Sequence, residues 1–493
     1  MKYILAIDQG TTGSRAVVYD RRGEKIASAY EELRQYFPRP GWVEHDPEEI
    51  WASVNNCVQK VLRTVPPGLI AAIGITNQRE TAVVWDRTTG KPIHRAIVWQ
   101  CRRTARRCEE LGADKQTAGY IRRKTGLPVD AYFSATKIEW LLKHVPGAAV
   151  KAARGELLFG TTDTWILWKL TGGKTHATDY TNASRTMLFD IGGLKWDARL
   201  LEIFGVPRAM LPGVRRSSGE FGRTAAIGRL AAGIPICGVA GDQQAALYGQ
   251  ACFEPGTVKN TYGTGCFLLM NTGKKRISSA GGLITTLACD AGGGPAYALE
   301  GAVFIAGAAV QWLRDGLKIL DRARQSRKMA ASLKDNEGVY LVPAFTGLGA
   351  PYWKPHVRGA LFGITRGTTR AHLARAALEA MCYQTEDVMA VMERDSGLRI
   401  KALKIDGGAS ANDLLCAFQA DISGVMVIRP RVTETTSLGA AYLAGLAAGY
   451  WRDPGEISSC WALDKKFAPG MPRKVAARLY GGWKEAVACL LNK

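Results

Sequence analysis

The chain lacks most of the features that mark metalloproteins, disulfide scaffolds and membrane spans. Its 11 cysteines form no CxxC pair and no His/Cys cluster at zinc spacing. Irregular, odd-numbered cysteine use points to reduced thiols and a cytoplasmic protein. No segment approaches the ~20 consecutive apolar residues that a bilayer span requires. The apolar start, Met1 to Ile7, is cut off by Asp8 and has no small-residue cleavage site behind it. Leu491-Asn492-Lys493 matches no address tag. There is neither a Walker loop nor a dinucleotide fingerprint. The net charge is +21, from 65 Lys and Arg against 44 Asp and Glu. Yet the basic groups, Arg102-Arg103 with Arg106-Arg107 the densest, are not interleaved with aromatics as a strand-binding groove requires. No specific nucleic-acid partner is therefore expected. Attraction of an anionic cosubstrate is the smaller role left to that charge.

What is present suits an α/β protein of two domains. The 493 residues exceed one ordinary core, and 47% hydrophobic with 22% charged residues is a globular balance. Strands are predicted over Tyr3–Ile7, Arg15–Tyr19 and Lys25–Ala29, joined by turns carrying Gly10, Gly13 and Gly23. Further strands are predicted over Ala71–Thr76 and Thr81–Asp86, giving a hairpin-rich sheet. Asp46-Pro47-Glu48-Glu49 opens a helix, with Asp46 as cap and Glu49 reaching back to it. The second half echoes the first. Asn260 to Met270 reads strand, glycine turn, strand. Gly301–Leu317 and His372–Arg394 have helical apolar spacing. Lys401–Ile405 is a strand running into Asp406-Gly407-Gly408 and a helix, and Thr436–Gly449 suits a tightly packed helix. The expected domains are 1–249 and 250–493.

The most informative stretch is Gly241-Asp242-Gln243-Gln244, where an apolar strand meets a helix. Ligands in α/β folds sit beyond the carboxyl ends of strands, and an Asp there can take a proton from a substrate hydroxyl. Taken alone, Asp242 reads better as a helix N-cap than as a base. Asp8 to Arg15 forms a hairpin turn dense in hydroxyls and backbone N–H groups, suited to phosphate. Arg15 adds charge there, and Asp8 can hold a divalent cation through water. Tyr262-Gly263-Thr264-Gly265 repeats that logic, so the two hairpins can hold a polyphosphate from both sides. Asp406 to Asn412 reads either as a flat-ring site or as a tight strand-to-helix turn. Arg79-Glu80 offers a donor beside an acceptor for a small polyol, or a surface ion pair. Trp99 serves as an aromatic wall or as core.

Taken in order, these blocks resemble the FGGY carbohydrate kinases over nearly the whole chain. Pro40 to Pro47, Gly74 to Glu80, Ile97 to Thr104, Asp179 to Thr186, Asn260 to Phe267 and Thr346 to Trp353 carry the likeness. The resemblance implies two actin-like (ribonuclease H-like) domains closing on a catalytic cleft. It implies ATP and Mg²⁺ as cosubstrates and glycerol as acceptor, giving sn-glycerol 3-phosphate. Asp242 then looks like the catalytic base. Arg79, Glu80, Tyr132, Asp242 and Gln243 look like the acceptor cage, with Trp99 and Phe267 as apolar walls. Thr11, Thr12, Gly13, Arg15, Thr264, Gly265, Gly307, Gln311, Gly408 and Asn412 look like nucleotide contacts, and Asp8 like the metal-side carboxylate. A homo-oligomer, dimer or tetramer, is the expected assembly. Gly13 departs from the serine common at its place. The segment Ile227 to Ile234 lacks the glycine-rich, arginine-ended loop by which some members bind a sugar-bisphosphate inhibitor. Two other readings compete: a kinase for another polyol or sugar, and a non-catalytic actin-like ATP-binding or nucleic-acid-binding protein. Retention of Asp242 with its neighbours argues against the second.

Overall fold

The computed structural model describes residues 2–492. Two mixed sheets organise it, and they share one plan. In the first sheet the strand order is Ser218–Arg223, Pro235–Gly241, Ile70–Asn77, Tyr3–Gln9, Gly13–Tyr19, Lys25–Glu32. Tyr3–Gln9 runs antiparallel to Gly13–Tyr19 on one side and parallel to Ile70–Asn77 on the other. The second sheet repeats this around Val258–Tyr262, antiparallel to Cys266–Gly273 and parallel to Ala402–Asp406. Met426–Pro430 and Leu463–Phe467 then extend it as Pro235–Gly241 and Ser218–Arg223 extend the first. One additional strand, Ile284–Cys289, lies outside the plan at the far edge. The echo read from the two glycine hairpins is thus a repeated domain topology.

The sequence-level expectations needed three local corrections. Val83–Asp86 does not pair with Ile70–Asn77; it pairs with Leu157–Gly160 in a separate ribbon, and Ile70–Asn77 finds parallel partners instead. The first sheet is therefore mixed, with parallel strands at its centre. The helix expected from Gly301 starts at Gly307, because Pro295–Val303 is a strand. That strand is held between Cys266–Gly273 and Ile284–Cys289, so ladder pairing outweighs the helical spacing of its apolar residues. Asp46 does cap the helix Pro47–Val61, accepting from the Glu48 amide. Glu49 does not close the box; its carboxylate accepts from the Tyr36 hydroxyl at 2.6 Å.

The helix Thr435–Ala447 folds back from the C-terminal part of the chain onto the first sheet. Its Leu438, Ala441, Tyr442 and Ala444 share a core with Ile4, Ala6, Val17 and Ala72. Small residues permit the approach. A Cβ at Gly74 would overlap the Ala440 carbonyl, and one at Gly439 would overlap the Ala245 carbonyl. No helix among the described residues is long and apolar enough to cross a membrane. All 11 cysteines are free thiols. The densest basic group is absorbed by ion pairs: Arg102 with Asp130, Arg103 with Glu44, Arg106 with Glu110 and Arg107 with Glu139.

Candidate active site

Strand register brings the site together. Asp8 pairs across from Thr76, and Thr76 across from Ala240, so the carboxyl ends of three parallel strands lie in one row. Asp8, the Asn77–Glu80 segment and Asp242 all emerge there. Asp242 is the first residue of the helix Asp242–Gly249; Gly241 occupies the cap position, and no side chain caps this helix end. The N-cap alternative for Asp242 is therefore set aside. Its side chain is 30% exposed, and Oδ1 lies 3.2 Å from Arg79 Nε.

Around Arg79 the groups are almost entirely dry. Its Nη1 and Nη2 donate to the two carboxylate oxygens of Glu300 at 2.6 and 2.9 Å. Nη1 also donates to Gln244 Oε1 at 3.2 Å, and Nη2 to the Tyr132 hydroxyl at 3.4 Å. Arg185 donates from Nε to Glu80 at 2.5 Å and from Nη2 to Glu300 at 3.1 Å. Lys259 Nζ donates to Gln243 Oε1 at 2.6 Å and to Thr261 Oγ1 at 2.8 Å. Arg79, Arg185 and Lys259 thus stand against Glu80, Glu300 and Asp242, a locally neutral set. Burial drives the Lys259 ammonium down to about 8, against the opposing pull of Asp406 and Asp242. Burial raises Glu300 as well, but the two guanidiniums outweigh it and hold that carboxyl below its usual range. Burying ions costs several kcal/mol each, and breaking one such pair typically costs about 3–5 kcal/mol. Stability alone does not call for this arrangement, and it marks a functional cluster. Glu80 adds a second sign, a φ of 63° in a buried non-glycine residue.

Three aromatic rings wall the cage. Trp99 meets Tyr132 edge-on at a 5.6 Å centroid separation and Phe267 at 6.4 Å. Trp99 Nε1 also donates to Thr11 Oγ1 at 2.8 Å, tying the first glycine hairpin to the acceptor wall. Phe267 follows the second hairpin in the chain, so the aromatic group joins both.

A second region of the site is open by comparison. A cavity of about 530 Å³ is lined by Thr264, Gly307, Gln311, Gly408 and Asn412 among others. The hairpin Gly263–Gly265 docks on the helix Gly307–Asp315, whose first amides bond the Gly263 and Thr264 carbonyls. Asn412, at the cavity lining, spends its Oδ1 capping the helix Asp413–Ser423. Thr11, Thr12, Gly13, Arg15 and Gly265 do not line that cavity. Arg15 donates to Glu434 at 2.5 Å, so part of its charge is offset within the protein. Asp8 stands beside them. Desolvation pushes its carboxyl up to about 7; Arg15 opposes this, while Asp242 and Glu434 add to it. Among the described residues no group of His, Cys, Asp or Glu is placed to hold a metal ion unaided. The single Asp8 carboxylate beside the Gly10–Gly13 hairpin nevertheless fits Mg²⁺, which keeps its waters and binds through one or two carboxylates plus substrate phosphates.

The sequence reading missed Glu300, Lys259, Arg185 and Lys137. Lys137 is buried and donates to the backbone carbonyls of Glu80, Tyr132 and Phe133, bridging two segments of the cage. Arg185 stood inside a recognised block, which was its only signal.

Comparison with known proteins agrees with this geometry. The N-terminal domain model of the FGGY family of carbohydrate kinases matches residues 3–249, and the C-terminal one residues 258–448. The chain therefore belongs to the FGGY family of carbohydrate kinases. It is 58% identical over 490 residues to glycerol kinase 2 of Thermotoga maritima, covering 99% of this chain and 98% of the relative. A glycerol kinase of Stenotrophomonas maltophilia is 57% identical over 492 residues, covering 99% and 98%. Among solved structures, Plasmodium falciparum glycerol kinase with ADP superposes with a TM-score of 0.92 at 36% identity, covering 100% of this chain and 98% of that one.

Proposed function

We propose that the chain transfers the terminal phosphoryl group of ATP to glycerol, giving sn-glycerol 3-phosphate. The observation that carries this reading is the Asp242 carboxylate, partly exposed and 3.2 Å from Arg79, whose Nη2 in turn donates to the hydroxyl of Tyr132 in the Trp99, Tyr132 and Phe267 ring group. Relatives that match over nearly their whole length and bear the name glycerol kinase support it.

The roles follow from the chemistry of each group. Arg79 and Gln243 bind acceptor hydroxyls as donors, Glu80 accepts from one, and the rings pack against the carbon chain. Asp242 orients the reacting hydroxyl and takes its proton. Phosphoryl transfer is largely dissociative, so a weak base at a helix N-terminus suffices. The two glycine hairpins and Arg15 neutralise phosphate charge. Asp8 would hold a Mg²⁺, which would supply further neutralisation when bound. Gly307, Gln311, Gly408 and Asn412 bound the nucleoside. In this reading residues 1–249 carry the acceptor and phosphates, and residues 250–493 the nucleotide.

The reading is tested by coupled ADP release over a panel of glycerol, other polyols, xylulose and gluconate. Turnover with glycerol far above the rest is expected. Equal or better turnover with a five- or six-carbon acceptor would move the chain to another member activity of its family.

A further inference from the structure

Resting on the glycerol reading above, we infer that Glu300 and Lys259 of the second domain are positioning residues. They hold the acceptor-binding Arg79 and Gln243 of the first domain in their working orientations.

Each partner touches a different polar group of the cage. The Glu300 carboxylate grips the far end of the Arg79 guanidinium with a two-point fork, at 2.6 and 2.9 Å. A planar fork of this kind fixes both the direction and the roll of a guanidinium. Gln244 and Tyr132 take further N–H groups of the two Nη atoms. Nε is then left on the Asp242 side, where the reacting hydroxyl has to sit. At Gln243 the argument is one of hydrogen-bond sign. An ammonium only donates, so the group 2.6 Å from Lys259 Nζ has to be the amide oxygen. The NH₂ end is thereby turned the other way, available as a donor to an acceptor oxygen. Without Lys259 the amide is free to turn over and present an acceptor instead.

The placement of these charges separates positioning from packing. Glu300 lies in the strand Pro295–Val303 and Lys259 in Val258–Tyr262, both in the second sheet and both fully buried. Their targets lie at the ends of first-sheet strands. Apolar residues of similar volume would satisfy the packing at less cost in desolvation. The charges cross the domain boundary to the polar groups that face the acceptor. The acceptor contacts of the first domain are consequently complete only with the second domain docked on it.

The test is a two-substrate initial-rate matrix on the full-length wild type, Glu300→Gln, Lys259→Met, Arg79→Ala and Arg79→Ala/Glu300→Gln, with glycerol and ATP varied. Glu300→Gln and Lys259→Met should each raise the KM for glycerol about 10- to 100-fold, as loss of a charged hydrogen bond predicts. The KM for ATP should stay within about twofold. Adding Glu300→Gln to Arg79→Ala should cost little more, since its target is gone. Parallel rises in both KM values, or fully additive losses in the double variant, would assign Glu300 to the scaffold and overturn the inference. So would an unchanged glycerol KM in either folded single variant. Should Glu300→Gln fail to fold, Lys259→Met alone decides by the same KM split. Failure of the wild type to phosphorylate glycerol would instead remove the functional reading on which this rests.

Discussion

On the acceptor side of the cleft, Arg79, Arg185 and Lys259 meet Glu80, Glu300 and Asp242 behind three aromatic rings. On the proposed nucleotide side, a cavity of about 530 Å³ is bounded by Gly263, Gly307 and Gly408 together with Thr264, Gln311 and Asn412. In the proposed reading the first wall recognises by side-chain charge fixed in advance, and the second by backbone shape together with the charge of Arg314, Arg324 and Arg327. A polyol offers only hydroxyls, whose donor and acceptor directions have to be matched one by one. A nucleotide brings its own charge and a large flat ring, so room and backbone N–H groups do more there. The two walls should therefore fail in different ways.

The largest effect is expected at their junction. Asp242→Asn should lower kcat by ~10²–10⁴-fold, the usual loss with a positioned base, and leave nucleotide binding nearly unchanged. Turnover close to wild type would break the assignment of the base. Arg79→Ala should act on the acceptor wall alone. Loss of a charged hydrogen bond, worth about 1.5–3 kcal/mol, should appear in the KM for glycerol. Gly408→Ala sharpens the opposite side. A Cβ there meets nothing within 4 Å of the protein, so the fold should survive while the methyl group intrudes on the cavity. A rise of roughly tenfold in the KM for ATP is expected, with that for glycerol unmoved.

Two smaller effects come from groups at the margins. Burial pushes the Asp8 carboxyl up to about 7. Below that pH its carboxyl is neutral and cannot attract the magnesium nucleotide; above it the charge is present. The kcat/KM for ATP should therefore fall as pH drops from 8 to 6, by up to about tenfold per unit below 7, and Asp8→Asn should flatten the profile. A pH profile shared equally by glycerol and ATP would place the titration elsewhere. Fructose 1,6-bisphosphate, titrated at fixed ATP and glycerol, should leave activity unchanged. Gly233 has a φ of 86°, a conformation that an arginine at that place would adopt only with strain. Arg229 is exposed nearby, with its backbone amide bonded to Gln59 at 2.6 Å. Strong inhibition that disappears in Arg229→Ala would identify it as the missing cation.

The same contrast explains what the sequence disclosed. Asp242, Arg79 and Glu80 were legible because each lies just past the carboxyl end of a strand, where polar residues follow an apolar run. The paired glycine hairpins were legible because backbone turns leave a compositional trace. Glu300 was hidden because it lies mid-strand in Pro295–Val303, a strand that the sequence reading did not predict, and just before the Gly301–Leu317 segment that read as a helix. Lys259 was hidden because a lysine in a strand ordinarily reads as an exposed residue. Glu300 pairs across the domain boundary with Arg79 and Arg185, and Lys259 reaches across it to Gln243 while also bonding Thr261 on its own side. The return of Thr435–Ala447 to the first sheet was equally invisible: its Ala/Gly composition implied close packing, but nothing local named the surface it packs on.

The contrast between the walls is tested most directly by measuring Arg79→Ala and Gly408→Ala in one two-substrate initial-rate experiment. The account predicts a crossed pattern, with the glycerol KM rising in Arg79→Ala and the ATP KM in Gly408→Ala, each leaving the other substrate within about twofold. Parallel rises of both KM values in either variant would contradict it, because the two walls would then act as one.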